Sequence, residues 1–433
     1  MRLDWFSPLP PAASGTAHCT ASLLPALASR AEVRLWTDQA TWDPTLEELA
    51  EVRRYQIEKM PWEELNRSDL CVYQIGNHME LHAAIWEVSR RHGGLVVLHD
   101  PCLQDFFTRL YLEGWQDEKG YRAAMERIYG AEGARAADAL RNGKLSVDAL
   151  NERYPLTPLA LENALGVLVH SPLAFDALAK RNRWPVVHAP LPCPAGPRGA
   201  CRRRSEPPFR LVVFGFLGKN RCLDVLLLAL AEFPERDRFR LDVYGSLWDP
   251  IHVRGRLDAL GLQETVTLHG FVPEAELDAA LSGADLAVNL RHPTMGEASA
   301  SQLRIWMHAL PSLVTPLGWY AGLSREAVAF VRPGHEPEDI QAHLRAFLAD
   351  PARFAEMGEN GRRILEREHT PEAYVRAITG FAAQAGRHRC VATAWDLADR
   401  AGAEMAAWAD PKGEAEWRSV ATAIRDLLVE ESP

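Results

Sequence analysis

The sequence contains little lysine. Only six lysines occur in 433 residues, against 42 arginines, a bias that we attribute to genome composition. Acidic residues outnumber basic ones by 58 to 48, which gives a formal net charge of -10. A chain with this balance repels nucleic acid and anionic lipid as a whole. The sequence therefore predicts no nucleic-acid partner, and it leaves only local, peripheral membrane contact open.

Cysteine motifs and long apolar runs are also missing. The seven cysteines are scattered and form no C-x-x-C pair, which is typical of reduced thiols and spells out no zinc site. No apolar stretch approaches the roughly 18 residues of a membrane-spanning helix, and the N-terminus lacks the apolar region of a signal peptide. The sequence predicts a soluble, cytoplasmic protein without a transmembrane segment.

Apolar residues make up 47% of the chain and charged residues 24%, which are ordinary values for folded domains. At 433 residues we expect two or three domains. Short apolar runs alternate with helical patterns over residues 1–190, which predicts a parallel sheet in a first α/β domain. The predicted strands cover residues 2–6, 32–37, 69–74, 94–99 and 165–170, and a helical insertion at about 103–160 separates the last two.

A second alternation follows a segment rich in proline and arginine at 191–208, which we interpret as a linker. This second alternation predicts another parallel-sheet domain over 209–385. We expect helices over 386–433 that pack back across the domains. The predicted strands of the second domain cover residues 209–215, 238–245, 265–270, 285–290, 310–315 and 328–333. Two such domains favour a ligand site in a cleft between them.

The segment GFLGKN at 215–220 is a glycine-rich turn between a strand and a helix. It satisfies neither G-x-x-x-x-G-K-[ST] nor G-x-G-x-x-G, so an NTPase or a dehydrogenase is disfavoured. Lys219 and Arg221 could still make it a pyrophosphate-binding corner at the carboxyl edge of the sheet. An ordinary turn with exposed cations explains the pattern equally well.

Three other positions stand at predicted strand ends. Arg291 lies in a polar loop before a helix that we expect to begin at about Glu297, where a carboxylate could bind a ligand or simply interact with the helix dipole. His99 ends a strand, where it could do acid–base work or be satisfied structurally. Gly15, in a proline-rich loop before a helix, would allow close approach of a ligand to the backbone.

Taken together, these segments resemble retaining, nucleotide-sugar-dependent glycosyltransferases of the GT-B fold, and more narrowly the branch found in bacterial polysaccharide gene clusters. The resemblance runs from about residue 1 to 385 and rests on five segments in family order. They are SPLPPAASGTAHCTASLLPAL, YQIGNHMELHAAIWEVSRRHGGLVVLHD, LGVLVHS, FGFLGKNRCLDVLLLAL and LRHPTMGEASAS. It implies an α/β protein with two Rossmann-like domains that face each other across a cleft.

The resemblance also implies a reaction: transfer of a hexose-like sugar from a nucleotide diphosphate to a saccharide, lipid-linked or protein acceptor, with retention, no metal and no cofactor. His99 and Glu297 would act on the transferred sugar. Acceptor choice would fall to the insertion at 103–160. The donor-binding residues that it implies are Gly15, Lys219, Arg221, Arg291, Glu297, Ala298 and Ser299.

The sequence departs from the family pattern at three places. Many members of the family have a second glutamate eight positions after the one that matches Glu297, and here that position is Ile305, or Arg304 if one residue is gapped. Phe216 stands where many members have an arginine, and Gly322 stands where the branch often has a glutamate. A non-catalytic GT-B subunit with a degenerate donor site is therefore the alternative. A GT-B isomerase or phosphorylase is disfavoured, because Lys219 lies in a loop and not in the apolar pocket that a Schiff-base lysine requires.

Overall fold

The computed structural model describes residues 1–113, 117–151, 153–193 and 204–408, together with Ser419, Thr422 and Ala423. The chain divides into two compact units. The first contains residues 1–189 and 374–433, and the second contains residues 190–373. Most of the linker expected at 191–208, and most of the chain after 408, lie outside the described residues.

The first unit is built on a seven-stranded sheet in the order β3-β2-β1-β4-β5-β6-β7, in which every neighbouring pair is parallel. The strand order reverses between β1 and β4, which creates a crevice at their carboxyl ends. The strands are β1 (Arg2–Phe6), β2 (Glu32–Thr37), β3 (Glu51–Arg54), β4 (Leu70–Ile75), β5 (Gly94–Leu98), β6 (Ala164–Val169) and β7 (Val186–His188).

Helices cover both faces of this sheet because its strands are apolar on both sides. Along β4, Cys71, Tyr73 and Ile75 join one buried cluster, whereas Leu70 and Val72 join another. The described part of the stretch 103–160 contains helices α4 to α7, of which α5 is interrupted at Gly130 by a non-helical backbone conformation. The first eight helices are α1 (Gly15–Ala28), α2 (Trp62–Leu65), α3 (Met79–Arg91), α4 (Gln104–Leu112), α5 (Glu118–Arg141), α6 (Val147–Asn151), α7 (Thr157–Ala160) and α8 (Pro172–Ala179).

The second unit has a six-stranded parallel sheet in the order β10-β9-β8-β11-β12-β13, which reverses between β8 and β11. The strands are β8 (Phe209–Phe214), β9 (Phe239–Tyr244), β10 (Val266–Gly270), β11 (Leu286–Asn289), β12 (Ser312–Val314) and β13 (Ala329–Phe330). Its helices are α9 (Leu223–Ala231), α10 (Pro250–Leu260), α11 (Glu274–Gly283), α12 (Ala300–Met307), α13 (Glu336–Ala349) and α14 (Pro351–Glu368).

Helices α15 (Pro371–Ala382) and α16 (Ala385–Trp408) belong almost entirely to the first unit. The sequence placed residues up to 385 in the second domain. The structure differs because Tyr374, Ile378 and Phe381 are buried in the cluster that covers one face of the first sheet. The sequence also missed two edge strands of that sheet, β3 and β7. Both are short, and neither carries a buried residue.

Candidate functional site

Two glycines shape the turns that follow β8 and β9. Gly215 and Gly245 both have φ of 108°, a conformation that residues with a Cβ rarely adopt. A Cβ at Gly245 would lie 2.0 Å from the Gly215 carbonyl oxygen, and one at Gly215 would lie 2.9 Å from Nη2 of Arg221. Glycine is therefore needed at both positions for the turns to pack against each other at the carboxyl edge of the sheet.

The side chain of Arg221 points into the second unit and is only 6% exposed. Its Nη1 donates to Oδ1 of Asn289 at 2.7 Å, and Nη2 donates to the carbonyl of Phe214 at 3.1 Å. A longer contact of 3.4 Å joins Nε to the carbonyl of Phe216. Burial, followed by repulsion from Arg291, lowers the pKa of Arg221 to about 10. The guanidinium is thus still charged at neutral pH while it holds the turn after β8.

The contact with Asn289 continues into a buried polar network. Asn289 Nδ2 donates to Oε1 of Gln302 at 3.0 Å, and Gln302 Nε2 donates to the hydroxyl of Ser312 at 2.8 Å. These residues tie β11, α12 and β12 together beneath the loop that follows β11. The sequence analysis missed the network. Its signals were an asparagine at the end of an apolar strand and a glutamine on the apolar stripe of a helix.

The loop after β11 brings Arg291 and Glu297 side by side. Arg291 Nη1 lies 3.5 Å from Oε1 of Glu297, and both side chains are mostly buried. The other carboxylate oxygen accepts hydrogen bonds from the Met295 N–H at 3.0 Å and from the Thr294 hydroxyl at 3.2 Å. A cation and a carboxylate are therefore fixed together at the edge where the strand order reverses, beside the turn that contains Arg221.

The helix after this loop begins later than the sequence predicts. We expected it to start at about Glu297, but α12 starts at Ala300, and Glu297 lies in the loop. The reason is the cap: Ser299 has an extended backbone, and its buried hydroxyl accepts from the Gln302 N–H at 3.1 Å. Ala298 is half-buried just before the cap.

Lys219 has the opposite orientation to Arg221. It is exposed, and its Nζ lies 4.6 Å from the centre of the Trp248 ring, which is a cation–π contact. Phe216, in the same turn, is also exposed. The turn thus presents one cation and one aromatic ring outward and keeps the second cation inside.

A pocket of about 400 Å³ opens where β9 and β10 end. Phe271, at its rim, is 81% exposed, and Arg254 is its cationic residue. The lining includes Ser246, Leu247, Pro250, Arg254, His269 and Phe271. The sequence analysis did not single out this pocket. An aromatic residue directly after a strand end, in HGF at 269–271, was the available signal.

His269 is fixed in the wall of this pocket. Its ring stacks on Tyr244 with a centroid distance of 4.2 Å, and Nε2 lies 2.7 Å from Oδ1 of Asp242. The pocket therefore has an ordered polar wall and an open aromatic rim, which suits a flat polar ring.

In the first unit, Gly15 is the first residue of α1, after the loop that follows β1. Ser14 caps this helix by accepting from the Thr16 N–H at 3.2 Å. A Cβ built on Gly15 would meet no atom within 4 Å. The packing of the unit therefore does not require glycine here.

His99 follows β5 and is half-buried. Its ring Nε2 lies 2.7 Å from Oε1 of Gln74, and its main-chain N–H donates to the carbonyl of Ile75 at 2.8 Å. The ring centre of His170 is 5.1 Å away. Burial above all, and then the nearby His170 and His82, hold the pKa of His99 well below its ordinary value. The imidazole is therefore neutral at neutral pH.

Two of the positions that depart from the family pattern, Arg304 and Ile305, have structural tasks. Arg304 donates from Nε to Oδ1 of Asp278 at 2.9 Å and also bonds Glu274, so that it joins α12 to α11. Ile305 is 1% exposed within the core. A Cβ at Gly322 would meet nothing within 4 Å. Neither Arg304 nor Ile305 takes over the position of a ligand-binding glutamate.

Within the described ranges, no group of three or more His, Cys, Asp or Glu side chains is arranged to hold a metal ion. Over the same residues, no helix is both long and apolar enough to cross a bilayer.

Comparison with known proteins gives a family match for part of the chain. Residues 224–380 match a family model described as glycosyl transferase-like. A search of curated protein sequences finds no significant match. Solved structures match nearly the whole chain, at low identity. A sucrose-phosphate synthase from Thermosynechococcus elongatus has 18% identity and a TM-score of 0.60, over 89% of this chain and 98% of its own. The chain has the GT-B fold.

Two further GT-B structures are similar. WaaG, a glycosyltransferase involved in lipopolysaccharide biosynthesis, has 15% identity and a TM-score of 0.55, over 88% of this chain and 100% of its own. HepE from Anabaena, solved in complex with UDP-glucose, has 13% identity and a TM-score of 0.60, over 89% and 100%. The prediction of a GT-B fold is confirmed, and the glycosyl transferase-like family match covers residues 224–380. The retaining mechanism and the polysaccharide branch stay predictions.

Proposed function

We propose that the protein transfers a hexose-like sugar from a nucleotide diphosphate to a saccharide, lipid-linked or protein acceptor, with retention and without a metal. The observation that carries this proposal is the arrangement of side chains at the carboxyl edge of the second sheet. There the fixed pair of Arg291 and Glu297 lies on the loop after β11, and the pocket rimmed by Phe271 lies at the ends of β9 and β10 of the same sheet. The glycosyl transferase-like match covers both.

In this proposal the second unit binds the donor. Lys219, Arg221 and Arg291 supply positive charge for the diphosphate, Arg221 from its buried position. The main chain at Ala298 and Ser299 would line the phosphates at the start of α12, where helix N–H groups favour negative charge. The nucleoside would occupy the pocket at the ends of β9 and β10. Fixed positive charge would then stabilise the leaving diphosphate.

The sugar would contact the loop after β11. Glu297 would accept hydrogen bonds from sugar hydroxyls, for which its carboxylate is held by Thr294 and Met295. His99 and Gly15 keep the roles that the resemblance implies, contact with the sugar and close backbone approach to the donor. For retention, the acceptor oxygen would bond to the anomeric carbon from the face that the diphosphate leaves. The acceptor's proton would pass to a leaving phosphate oxygen as the old C–O bond breaks.

The test is a transfer assay followed by NMR. Purified protein would be incubated with UDP-glucose, the donor class suggested by the HepE complex, and then with other nucleotide sugars, in EDTA. Because the cysteine pattern favours the cytoplasm, we propose that the reaction occurs there. The assay buffer would therefore contain a reductant. We expect release of one nucleoside diphosphate and an anomeric signal that matches the donor configuration. Inverted product would contradict retention, and a requirement for added magnesium would contradict metal independence.

One observation favours the alternative, a non-catalytic GT-B subunit. The side chain of Arg304 bonds α11 and that of Ile305 lies in the core. Neither can therefore serve as the second glutamate that binds the ribose in related enzymes. A folded protein that neither binds a nucleoside diphosphate nor turns over any nucleotide sugar would support that alternative.

A further inference from the structure

The end of β4 holds a buried glutamine to which the proposed function gives no task. Gln74 is 2% exposed and lies on the strand where the order of the first sheet reverses. Its Oε1 is 2.7 Å from Nε2 of His99, and its main-chain carbonyl oxygen is 2.9 Å from Nδ1 of His82. Gln74 thus links two histidines at the carboxyl edge of the sheet.

The chemistry of this contact determines where the proton of His99 lies. A carboxamide oxygen only accepts hydrogen bonds, so His99 must donate from Nε2. A neutral imidazole carries one N–H. Its lone pair is therefore on Nδ1, and His99 offers an acceptor there.

The neighbouring loops hold this arrangement in place. The Asn77 N–H donates to Oδ2 of Asp100 at 2.7 Å, which joins the loop after β4 to the loop after β5. A Cβ at Gly76 would lie 3.0 Å from Nε2 of His82 and 3.1 Å from Oδ2 of Asp100. The loops that follow Gln74 and His99 are therefore packed closely against each other.

The amide nitrogen of Gln74 differs from its oxygen in having no such contact. It is buried and, among the residues that the structure describes, has no hydrogen-bond partner. Proteins retain few such donors, because each one lowers stability.

We propose that Gln74 is a positioning residue. It holds His99 in the Nε2–H form, so that Nδ1 accepts a hydrogen bond from a hydroxyl of the transferred sugar. The identity of the ligand rests on the proposed function. The form of the imidazole does not, and it can be measured without a substrate.

The experiment is a long-range ¹H–¹⁵N correlation spectrum of the full chain labelled with ¹⁵N-histidine, with His99→Gln to assign the signal. We expect His99 to be Nε2–H in the wild type and to lose that preference in Gln74→Met. In Gln74→Glu the carboxylate still accepts, so Nε2 should stay protonated. An Nδ1–H ring in the wild type, or an unchanged ring in Gln74→Met, overturns the proposal. If Gln74→Met does not fold, the wild type and Gln74→Glu decide.

Gln104→Met is the matched control. Gln104 is also a buried glutamine of the first unit, and its Oε1 accepts from the Tyr121 hydroxyl at 2.8 Å. The control should lower the melting temperature and leave the His99 signal unchanged. A His99 signal that shifts equally in the control would show a general loss of packing and would overturn the assignment to Gln74.

Kinetics test the role in the reaction. We expect Gln74→Met to lower kcat about tenfold and to leave nucleoside diphosphate affinity within about twofold of wild type, because the lost hydrogen bond acts on the sugar. Unchanged kcat overturns the positioning role. A wild type without transferase activity contradicts the proposed function alone, and the NMR result then decides the His99–Gln74 pair by itself.

Discussion

Arg221 donates a hydrogen bond of 2.7 Å to Oδ1 of Asn289, and through it the turn after β8 is tied to the end of β11. These two strands flank the point where the strand order of the second sheet reverses. The residue whose place in the glycine-rich turn most suggests phosphate binding is therefore also a structural residue. Its charge lies just behind the site, and its hydrogen bonds hold the site together.

Replacing Arg221 should therefore affect stability as well as binding. Arg221→Ala leaves Asn289 and the Phe214 carbonyl without a donor, and we expect the free energy of unfolding to fall by about 3 kcal/mol. Urea denaturation measures this. Lys219→Ala, the control in the same turn, should change stability by less than about 0.5 kcal/mol because Lys219 is exposed. Equal stability of the two variants would contradict the buried role of Arg221.

Glu297→Gln should separate turnover from folding. The amide keeps the size of the side chain, and its oxygen can still accept from Thr294 and Met295, but the charge beside Arg291 is lost. We expect turnover to fall at least about 100-fold, with a loss of stability below about 1.5 kcal/mol. Glu274→Gln, an exposed carboxylate of the same unit, is the control and should retain turnover. Normal turnover in Glu297→Gln would remove this residue from the site.

The sequence predicted the sheets better than the loops. The buried strands of both sheets are apolar runs, and a period of two or a continuous run of apolar residues marks them in the sequence itself. The edge strands β3 and β7 were missed because they have no buried residue. The start of α12 was misplaced because Ser299, and not Glu297, caps it. The signal was nevertheless local, because Ser299 and Gln302 have the S-x-x-Q spacing of a capping box.

The geometry of the candidate site could be predicted from the sequence only in part. Arg291 and Glu297 were named from their place after a strand, and the structure brings them together. The orientation of Arg221, into the unit and onto Asn289, depends on packing between segments nearly 70 residues apart. The pocket rimmed by Phe271 is formed by two strand ends and a helix, so it exists only once the sheet has formed.

Gly15→Ala tests close approach of a ligand to the first unit. Because a Cβ there meets no protein atom, the substitution should change the free energy of unfolding by less than about 1 kcal/mol. If the donor approaches this backbone, its KM should rise at least about fivefold. Gly380→Ala, also a helical glycine with open space around its Cβ position, should leave KM unchanged. An unchanged KM in Gly15→Ala would contradict the assigned role.

Acid should destabilise the protein through His82. Burial lowers the pKa of His82 to about 4, whereas the unfolded chain takes up this proton near pH 6.5. Below pH 6.5 the unfolded state therefore binds more protons, and stability falls as the pH drops towards 4, by up to about 3 kcal/mol. Urea denaturation of wild type and His82→Gln between pH 7.5 and 4.5 should show the shallower pH dependence in the variant. Parallel curves would contradict this assignment.

The most direct test of the account is calorimetric titration of the wild type with UDP, GDP, ADP, CDP and dTDP, each in EDTA and in magnesium. We predict that one diphosphate binds selectively, with the same affinity in both conditions, and that Phe271→Ala weakens it at least about tenfold through the loss of ring contact. Absence of binding to every nucleotide by a protein that unfolds cooperatively would contradict the account and identify a GT-B chain without a donor site.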